Sequence, residues 1–410
     1  MQATPLKIAM LSTHSCPVGN LGTKDTGGMS VYIRELAREL GKLGHKVDVY
    51  TRAHDPKDHQ IYELGHNARL IHLKAGENEE INKLTIYSYL PDFTRNLENF
   101  KKRNNLTYDL IFSHYWLSGI VGEHLQKQWD VPHITMFHTL GAVKNTIDVG
   151  EREPEIRIKM ERNLSQNCQH IVAPTGIEKR NIISHYAASS DKITVIPCGV
   201  NLELFHPVDK QMVKQTLGFN DDSIILYVGR IEPLKGIDRL IRSISYLQNI
   251  QGLKLVIIGD DEKSQPEVKK LQKLCRELHV ENSVNFLGVL KQKELPYYYS
   301  AADVCVIPSY YESFGLVALE SLACGTPIIA TNVGNMKSII HHGKTGYVLT
   351  DNNPYSIADK IVELLSNSSD SPEIIREIRD SVSEYDWPNI AQKITGEFQI
   401  VLSDYFASVS

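Results

Sequence analysis

The segments Ile8-Ala9-Met10-Leu11 and Val47-Asp48-Val49-Tyr50 are short and mostly apolar, as buried strands are. The residues between them carry a helical pattern, because apolar side chains recur at every third or fourth position: Met29, Ile33, Leu36, Leu40 and Leu43. Gly44 follows this pattern and supplies a helix stop before the second strand. A strand, a helix and a second strand in this order predict a βαβ unit, whose two strands run parallel in one sheet.

The same alternation continues along the chain and then restarts. Strand-like segments in the first half are Leu110-Ile111-Phe112, His133-Ile134-Thr135-Met136, Ile171-Val172 and Ile193-Thr194-Val195-Ile196. A turn-rich passage at 197–207 precedes a second series, at 224–228, 255–258, 285–287, 304–307 and 327–330. We therefore predict an α/β protein in which two parallel sheets are each covered by helices on both faces.

The restart places a domain boundary near the middle of the chain. We predict two Rossmann-like domains that face a central cleft, the first over residues 1–203 and the second over 204–387. The last segment, 388–410, has apolar residues on one helical face and is expected to pack back on the N-terminal domain.

Length, composition and charge agree with this division and exclude several classes of protein. A chain of 410 residues fits two or three domains of about 100 to 200 residues each. Its 44 Lys and Arg against 49 Asp and Glu leave a net charge of -5, so no overall basic field favours nucleic acid or an anionic membrane. We find no signal segment and no apolar stretch long enough for a membrane span, and we expect a cytoplasmic protein.

The six cysteines lie far apart, without a Cys-x-x-Cys pair or a zinc-type spacing of cysteine and histidine. We expect buried, reduced thiols. The chain also contains no Asp-x-Asp sequence, which argues against a metal clamp on a diphosphate.

Ligands of open parallel sheets bind beyond the carboxyl ends of the strands, so the loops there are the first candidates for function. Gly27 and Gly28 stand where such a loop meets the first turn of a helix, whose open N–H groups attract an anion. A turn without a ligand remains the alternative. Arg230 and Lys235 follow another strand and could neutralise one diphosphate, although they could equally be two solvated loop cations.

The most specific pattern is a pair of glutamates, Glu312 and Glu320, separated by seven residues. Glu312 is expected in a loop and Glu320 on the helix that follows, so that each carboxylate could grip one end of an elongated ligand. The N–H groups between them, those of Ser313, Phe314, Gly315 and Leu316, would then face phosphates.

These motifs resemble those of the family 4 retaining glycosyltransferases, over nearly the whole chain. The resemblance implies the GT-B architecture, with the donor nucleotide sugar held mainly by the C-terminal domain and the acceptor by the N-terminal domain. It implies that Arg230 and Lys235 neutralise the diphosphate, that Glu320 bonds the ribose and that Glu312 contacts the donor sugar. Gly28 would approach the phosphates from the opposite domain.

The segments around His114 and His138 are similar to two narrower groups, the D-inositol-3-phosphate glycosyltransferases and the sucrose-phosphate synthases. That similarity implies that His138 lies against the donor sugar. It also implies an acceptor-phosphate site, which would consist of Lys83, Tyr115, Thr139 and Arg157. The segment Asn335-Met336-Lys337 departs from the usual family pattern near the donor pocket, which leaves the donor open.

The resemblance thus implies a configuration-retaining hexosyltransferase that needs no metal ion and no prosthetic group. Its substrates would be a UDP-sugar, either UDP-glucose or UDP-N-acetylglucosamine, and a phosphorylated polyol or sugar such as an inositol phosphate or fructose 6-phosphate. A transferase that uses GDP-mannose, a nucleotide-sugar epimerase, a phosphorylase and a non-catalytic binder of the same fold are the alternatives. A homodimer is left open.

Overall fold

The computed structural model describes residues 4–19, 26–77, 79, 81–259, 265–367 and 371–409. The first half of the chain forms an eight-stranded sheet with the order β3-β4-β2-β1-β5-β6-β7-β8. Its strands are β1 (Lys7–Leu11), β2 (Lys46–Arg52), β3 (Ile61–Gly65), β4 (Ala68–Leu73), β5 (Leu110–His114), β6 (His133–Met136), β7 (His170–Ala173) and β8 (Ile193–Val195). All pairs are parallel except that of β3 with β4.

Helices cover both faces of this sheet because its strands are apolar on both sides. In β1, Ile8 and Met10 belong to one buried cluster and Ala9 and Leu11 to another. The helices of this half are α1 (Gly28–Lys42), α2 (Lys83–Ser88), α3 (Leu90–Arg103), α4 (Tyr115–Trp129), α5 (Gly141–Lys144), α6 (Glu155–Asn167) and α7 (Gly176–Tyr186).

The second half repeats this plan with a six-stranded parallel sheet of order β11-β10-β9-β12-β13-β14. Its strands are β9 (Ser223–Val228), β10 (Leu253–Ile258), β11 (Val284–Gly288), β12 (Val304–Ile307), β13 (Ile328–Thr331) and β14 (Gly346–Leu349). Its helices are α8 (Lys210–Leu217), α9 (Ile237–Ile244), α10 (Gln265–Glu277), α11 (Leu295–Ala301), α12 (Leu316–Ala323), α13 (Met336–Ile339), α14 (Pro354–Asn367) and α15 (Pro372–Asp380). The predicted α/β class with two parallel-sheet domains is confirmed.

The chain passes twice between the two halves, and the two passages lie side by side. The N–H of Val200 donates to the carbonyl of Tyr385 over 2.8 Å, and the N–H of Trp387 donates to the carbonyl of Val200 over 3.3 Å. The indole of Trp387 packs directly on Gly199, where an added Cβ would come within 2.6 Å of it. Gly199 is therefore required by this close approach of the two passages.

The last helix, α16 (Trp387–Val409), packs on the N-terminal half. The ring of Phe398 is fully buried and meets that of Phe112 edge to face, with the ring centres 5.4 Å apart. A carboxylate oxygen of Glu397 lies 2.9 Å from Nε2 of His170 at the same interface. Across the described residues, no helix combines the length and the apolar character that crossing a membrane requires.

Three strands were not predicted from the sequence. The strands β3 and β14 lie at sheet edges, and β3 exposes four of its five residues, so it lacks the apolar run of a buried parallel strand. The buried strand β4 pairs with β3 through a turn in which Asn67 adopts a left-handed φ of 55°.

The packing of α16 predicts a large loss of stability on truncation of Phe398. We expect Phe398→Ala to lower the free energy of unfolding by about 3–5 kcal/mol, because it leaves a cavity between the helix and the sheet. Phe406→Ala on the same helix is the matched control, since Phe406 is 58% exposed, and should change stability by no more than about 0.5 kcal/mol. Urea unfolding of both variants measures the difference, and equal losses would contradict the packing.

Candidate active site

A cleft of about 360 Å³ lies between the two halves, at the carboxyl ends of the strands of both sheets. His14 follows β1, His138 follows β6 and Gly229 follows β9, and all three line the cleft. Every site residue predicted from the sequence lines it: Gly27, Gly28, Lys83, Tyr115, His138, Thr139, Arg157, Arg230, Lys235, Glu312, Ser313, Phe314, Gly315, Leu316 and Glu320. The fold thus brings together loops that are far apart in sequence.

The loop after β9 presents the two predicted cations. Gly229 has a φ of 152°, which favours glycine, and the Tyr227 hydroxyl donates to the carbonyl of Arg230 over 2.9 Å. The Arg230 side chain is 41% exposed and pairs with Glu232 at 3.0 Å. Exposed pairs of this kind are weak, so the guanidinium can turn towards an anion in the cleft.

Lys235 is held more tightly, by one of the two predicted glutamates. Its ammonium donates to a carboxylate oxygen of Glu312 over 2.7 Å, and the hydroxyl of Ser309 donates to the same oxygen over 2.9 Å. Both charged side chains are mostly buried in the wall of the cleft. Lys235 and Glu312 therefore neutralise each other across two loops that follow different strands.

The loop after β12 leads into α12, whose first turn lies at the cleft. Gly315 precedes the helix with a φ of 107°, no side chain caps the helix, and Leu316 and Val317 face the cleft. The first N–H groups of a helix carry partial positive charge, so this end favours a negative ligand.

The segment 335–337, which departs from the family pattern, packs against the loop that precedes α12. The N–H of Asn335 donates to the carbonyl of Phe314 over 3.0 Å, and the methyl of the fully buried Met336 would lie 2.3 Å from a Cβ on Gly315. Neither of these residues nor Lys337 lines the cleft. These residues therefore lie beneath the loop that precedes α12, outside the lining of the cleft.

The opposite wall supplies Gly27 and Gly28 at the start of α1. Gly27 has an extended φ of -165°, which any residue adopts, and a Cβ added there would meet none of the described atoms within 4 Å. Among the same described residues, a Cβ on Gly28 would meet only the side chain of Leu316, at 3.3 Å across the cleft. Neither glycine therefore places a side chain between the N-termini of α1 and α12.

Glu320 lies deeper, on α12, and is only 8% exposed. It accepts a hydrogen bond of 2.9 Å from the hydroxyl of Tyr299. Burial raises its pKa to about 7, against the opposing effect of hydrogen bonds from Tyr299 and Gln292 and of the nearby Arg34. Arg34 belongs to α1 and donates to Gln292, so the two halves of the molecule meet beside this carboxyl group.

His138 occupies a strained position at the end of β6. Its φ of 61° is left-handed, which is uncommon for a residue with a side chain and points to function when the surroundings enforce it. Its Nε2 lies 2.9 Å from Nδ1 of the buried His114, and its ring meets that of Tyr32 edge to face. Burial lowers the pKa of His138 to about 3, so its imidazole is neutral at pH 7.

The four residues of the predicted phosphate site form a compact group. The guanidinium of Arg157 donates to the hydroxyl and carbonyl oxygens of Thr139 over 2.9 and 2.8 Å. It also lies 4.7 Å from the ring centre of Tyr115, and the ammonium of Lys83 lies 5.7 Å from the same centre. Two cations thus lie close to the ring of Tyr115, and its own φ of 75° shows backbone strain like that of His138.

Arg157 is 1% exposed and is balanced by two carboxylates. Its Nε donates to Glu161 over 2.7 Å, and its Nη1 lies 2.8 Å from Glu153. Glu161 also accepts from the N–H of Gly141 over 2.9 Å. These hydrogen bonds and ion pairs fix the orientation of the guanidinium. Removal of either carboxylate would leave a buried charge without full compensation.

Several polar residues of the cleft were not predicted from the sequence, among them His14 and Lys144. The ring of His14 lies 4.4 Å from that of Tyr115, and its Nδ1 is buried without a hydrogen-bond partner in the described part of the chain. Lys144 forms an ion pair with Glu153. The position of His14 directly after β1 could have indicated it, whereas Lys144 depends on the unpredicted pairing with Glu153.

Two family models match the two halves of the chain. Residues 26–204 match the model described as Glycosyltransferase Family 4, and residues 209–381 match that described as Glycosyl transferases group 1.

Individual relatives extend the match to nearly the full length. The D-inositol 3-phosphate glycosyltransferase of Corynebacterium glutamicum (strain R) is 34% identical over 97% of this chain and 98% of the relative. The structure of sucrose-phosphate synthase from Thermosynechococcus elongatus is 30% identical, with a TM-score of 0.89 over 97% of this chain and 100% of the other. Anabaena HepE, solved in complex with UDP and glucose, shares the fold at 19% identity and a TM-score of 0.76, over 96% and 99% of the two chains.

The fold and the comparisons define a glycosyltransferase of GT-B architecture. The chain belongs to the family 4 glycosyltransferases, as its sequence motifs indicated.

The buried position of Glu320 predicts a dependence of stability on pH. The pKa of Glu320 is about 7 in the folded protein and an ordinary 4.5 in the unfolded chain, so the folded state keeps the proton up to a higher pH. The stability that the protonated group contributes is therefore lost as the pH rises through about 7. Relative to Glu320→Gln, the wild type should lose up to about 3 kcal/mol between pH 4.5 and pH 8.

Urea unfolding at several pH values measures this loss, with Glu277→Gln on the exposed face of α10 as control. Parallel stability curves for the wild type and Glu320→Gln would contradict the raised pKa.

Proposed function

We propose that this protein transfers a hexosyl group from UDP-glucose or UDP-N-acetylglucosamine to a phosphorylated polyol or sugar, such as an inositol phosphate or fructose 6-phosphate. The observation that carries the proposal is the meeting of two groups of cationic side chains in one cleft: Arg230 and Lys235 from the C-terminal half, and Lys83 with Arg157 from the N-terminal half. The names of the two relatives above 25% identity, a D-inositol 3-phosphate glycosyltransferase and a sucrose-phosphate synthase, support a phosphorylated acceptor.

The donor diphosphate would lie between the two facing helix N-termini. Arg230 offers a planar fork and Lys235 a point charge, and the open N–H groups at Leu316 add partial positive charge. The space beside Gly27 and Gly28 allows the phosphates to approach the start of α1 closely. The ribose would hydrogen-bond to Glu320, in line with the division into an acceptor domain over 1–203 and a nucleotide-sugar domain over 204–387.

Donor binding would rearrange the pair of Lys235 and Glu312. The diphosphate attracts the ammonium, and the released carboxylate can accept hydrogen bonds from hydroxyl groups of the donor sugar. Ser309 would keep Glu312 in position during this exchange. Glu312 therefore acts as a positioning and electrostatic group in this proposal.

The neutral imidazole of His138 is suited to hydrogen bonding with the sugar. Because its pKa of about 3 keeps it uncharged, it cannot donate a proton as an imidazolium at pH 7. Its contact with His114 and the enforced backbone conformation fix the direction of the ring. His138 would thus orient the hexosyl group towards the acceptor.

We further propose a front-side displacement with retention of configuration and without a metal ion. The bond from the anomeric carbon to the β-phosphate oxygen breaks, and a bond to the acceptor oxygen forms on the same face. The proton of the acceptor hydroxyl passes to the departing β-phosphate oxygen of UDP. Arg230, Lys235 and the N–H groups of α12 stabilise the charge that develops there, and closure of the two domains excludes water.

The acceptor phosphate would bind against Lys83, Tyr115 and Thr139, with the charge of Arg157 behind them. Glu153 and Glu161 hold Arg157 in place, and Lys144 offsets the negative charge of Glu153. Direct replacement of Arg157 is a poor test of this role, since it would leave two carboxylates uncompensated in the core. Lys83 lies at the start of the short helix α2 and is the better probe.

The named transferases among the relatives favour this reaction over an epimerase or a phosphorylase. We retain the cytoplasmic location as part of the proposal.

Release of nucleoside diphosphate from UDP-glucose, UDP-N-acetylglucosamine and GDP-mannose tests the function. Each donor is combined with inositol phosphate, fructose 6-phosphate or the unphosphorylated counterparts. We expect UDP release that depends on a phosphorylated acceptor, with kcat/KM at least about 100-fold lower for the unphosphorylated compound. A product anomer that differs from that of the donor would contradict retention.

Release without any acceptor requirement, or from GDP-mannose alone, would overturn the substrate assignment. The absence of turnover together with tight UDP binding would leave a non-catalytic binder.

The open space at Gly27 predicts a selective loss of donor binding. Gly27→Ala should fold normally, because the φ of this residue is extended and the added Cβ meets no atom of the described residues within 4 Å. We expect the KM of the UDP-sugar to rise about tenfold as the methyl group intrudes on the phosphates. Gly396→Ala is the matched control, since a Cβ there also meets nothing within 4 Å but lies on α16, away from the cleft. Equal kinetics for the two variants would contradict a ligand at Gly27.

The proposed acceptor-phosphate site predicts that binding of the acceptor and binding of the donor can be weakened separately. Lys83→Ala should raise the KM of the phosphorylated acceptor about 10- to 100-fold and leave the Kd of UDP unchanged, since a hydrogen bond to a charged group contributes about 1.5–3 kcal/mol. Arg230→Ala should raise the Kd of UDP and leave the KM of the phosphorylated acceptor unchanged. Lys74→Ala, an exposed lysine outside the cleft, controls for loss of surface charge. Calorimetry with UDP and steady-state kinetics measure both effects, and a Lys83 variant that loses both ligands equally would refute the assignment.

A further inference from the structure

Three potential metal ligands meet at the carboxyl edge of the N-terminal sheet, outside the cleft. Cys16 lies in the loop after β1, His54 follows β2 and His72 lies near the end of β4. These three strands are neighbours in the order β4-β2-β1, so the fold places their ends together. One ligand atom from each residue lies within 4.8 Å of the other two, and none of the three lines the cleft.

The distance between two of these atoms fits a shared metal ion. The sulfur of Cys16 lies 3.5 Å from Nε2 of His72. Zinc binds cysteine sulfur at about 2.3 Å and histidine nitrogen at about 2.0–2.1 Å, and a tetrahedral angle between such bonds separates the two ligand atoms by about 3.5 Å. The sulfur of Cys16 and Nε2 of His72 are therefore already as far apart as two ligand atoms of one tetrahedral zinc ion.

Each imidazole ring has an oxygen acceptor beside its Nδ1. Nδ1 of His72 lies 2.7 Å from the carbonyl oxygen of His59, which can only accept, so Nδ1 carries the proton and the lone pair of Nε2 points towards Cys16. Nδ1 of His54 lies 3.1 Å from the carboxylate of Asp58. Metal-bound histidines are typically oriented by such outer partners, and a carboxylate in this place also raises the basicity of the ring.

The outer carboxylate is itself fixed. One oxygen of Asp58 accepts from the N–H groups of His54 and Asp55, each over 2.9 Å. The turn between β2 and β3 therefore holds Asp58 against His54 without help from a metal. Cys16 and His72 are 4% and 6% exposed, whereas His54 is half-buried and leaves a route for an ion to enter.

We propose that Cys16, His54 and His72 bind one zinc ion, with solvent in the fourth position. A thiolate with two imidazoles is a ligand set that zinc prefers and that magnesium and calcium do not. The ion has no part in the transfer reaction. It ties the loop after β1 to the ends of β2 and β4.

A zinc ion at this position would also stabilise part of the cleft wall. Cys16 is next to Ser15, whose hydroxyl lies 2.6 Å from that of Ser30 in the first turn of α1. His14, which lines the cleft, is two residues away. The zinc ion would therefore brace the segment that carries His14 and abuts the start of α1.

Metal content and spectroscopy of the full-length protein test the proposal. The wild type, purified without chelator and dialysed, should retain about one zinc per chain by elemental analysis. The apoprotein loaded with Co²⁺ should show sulfur-to-cobalt charge-transfer absorption and the intense visible bands of tetrahedral coordination. Cys16→Ser should remove the charge-transfer band, and His72→Gln should weaken zinc binding at least tenfold in a competition with a chromophoric chelator.

Two matched variants control for nonspecific effects. His59→Gln changes an exposed histidine that contributes only its backbone carbonyl, and Cys275→Ser changes a buried cysteine of the other half, and both should keep zinc stoichiometry. Zinc should raise the Tm of the wild-type apoprotein and of both controls, and leave that of His72→Gln unchanged.

Less than about 0.1 zinc per chain with no shift in Tm would overturn the proposal, as would equal zinc affinity in the wild type, Cys16→Ser and His72→Gln. In that case the Cys16 thiol is simply a weak hydrogen-bond donor to His72. Because none of these readouts uses turnover, failure here is distinguishable from failure of the proposed reaction.

Discussion

The ion pair of Lys235 and Glu312 is the interaction on which the arrangement of the cleft depends. It joins the loop after β9 to the loop after β12, and it keeps two charged groups in a mostly buried wall without a net charge. An isolated charge in that position would be costly, so the pair can separate only when a ligand replaces each partner. In the proposed function a sugar diphosphate would do so, since its phosphates would replace Glu312 and its hydroxyl groups would replace Lys235.

The N-terminal wall follows a different principle. Its central cation, Arg157, is fully enclosed and permanently paired with Glu153 and Glu161, and its planar group packs against Tyr115. Such a network gives little net stability, but it fixes the positions of Thr139 and Tyr115 that face the cleft. Under the proposed function, the donor side would have groups that exchange partners and the acceptor side a rigid frame. This contrast would suit a donor that is held through bond cleavage and an acceptor whose position is fixed.

The sequence was sufficient for the parts of this structure that depend on local pattern. The apolar segments predicted the central parallel strands, and the Glu312 to Glu320 spacing placed one carboxylate in a loop and the other on α12. The edge strand β3 lacked an apolar pattern because four of its five residues are exposed. The support of Gly315 by Met336, the burial of Arg157 and the pairing of Lys144 arise from tertiary contacts that no local pattern encodes. The cluster of Cys16, His54 and His72 escaped for the same reason, since its ligands come from three strands and have no short spacing.

A crystal structure with UDP and a phosphorylated acceptor bound together would test the proposed arrangement of the cleft. We expect phosphate oxygens of UDP within hydrogen-bonding distance of Arg230 and Lys235, the ribose on Glu320, and the acceptor phosphate beside Lys83 and Thr139. Lys235 should then have left Glu312. A nucleotide bound away from these cations, or a Lys235–Glu312 pair that stays intact beside the bound diphosphate, would contradict it.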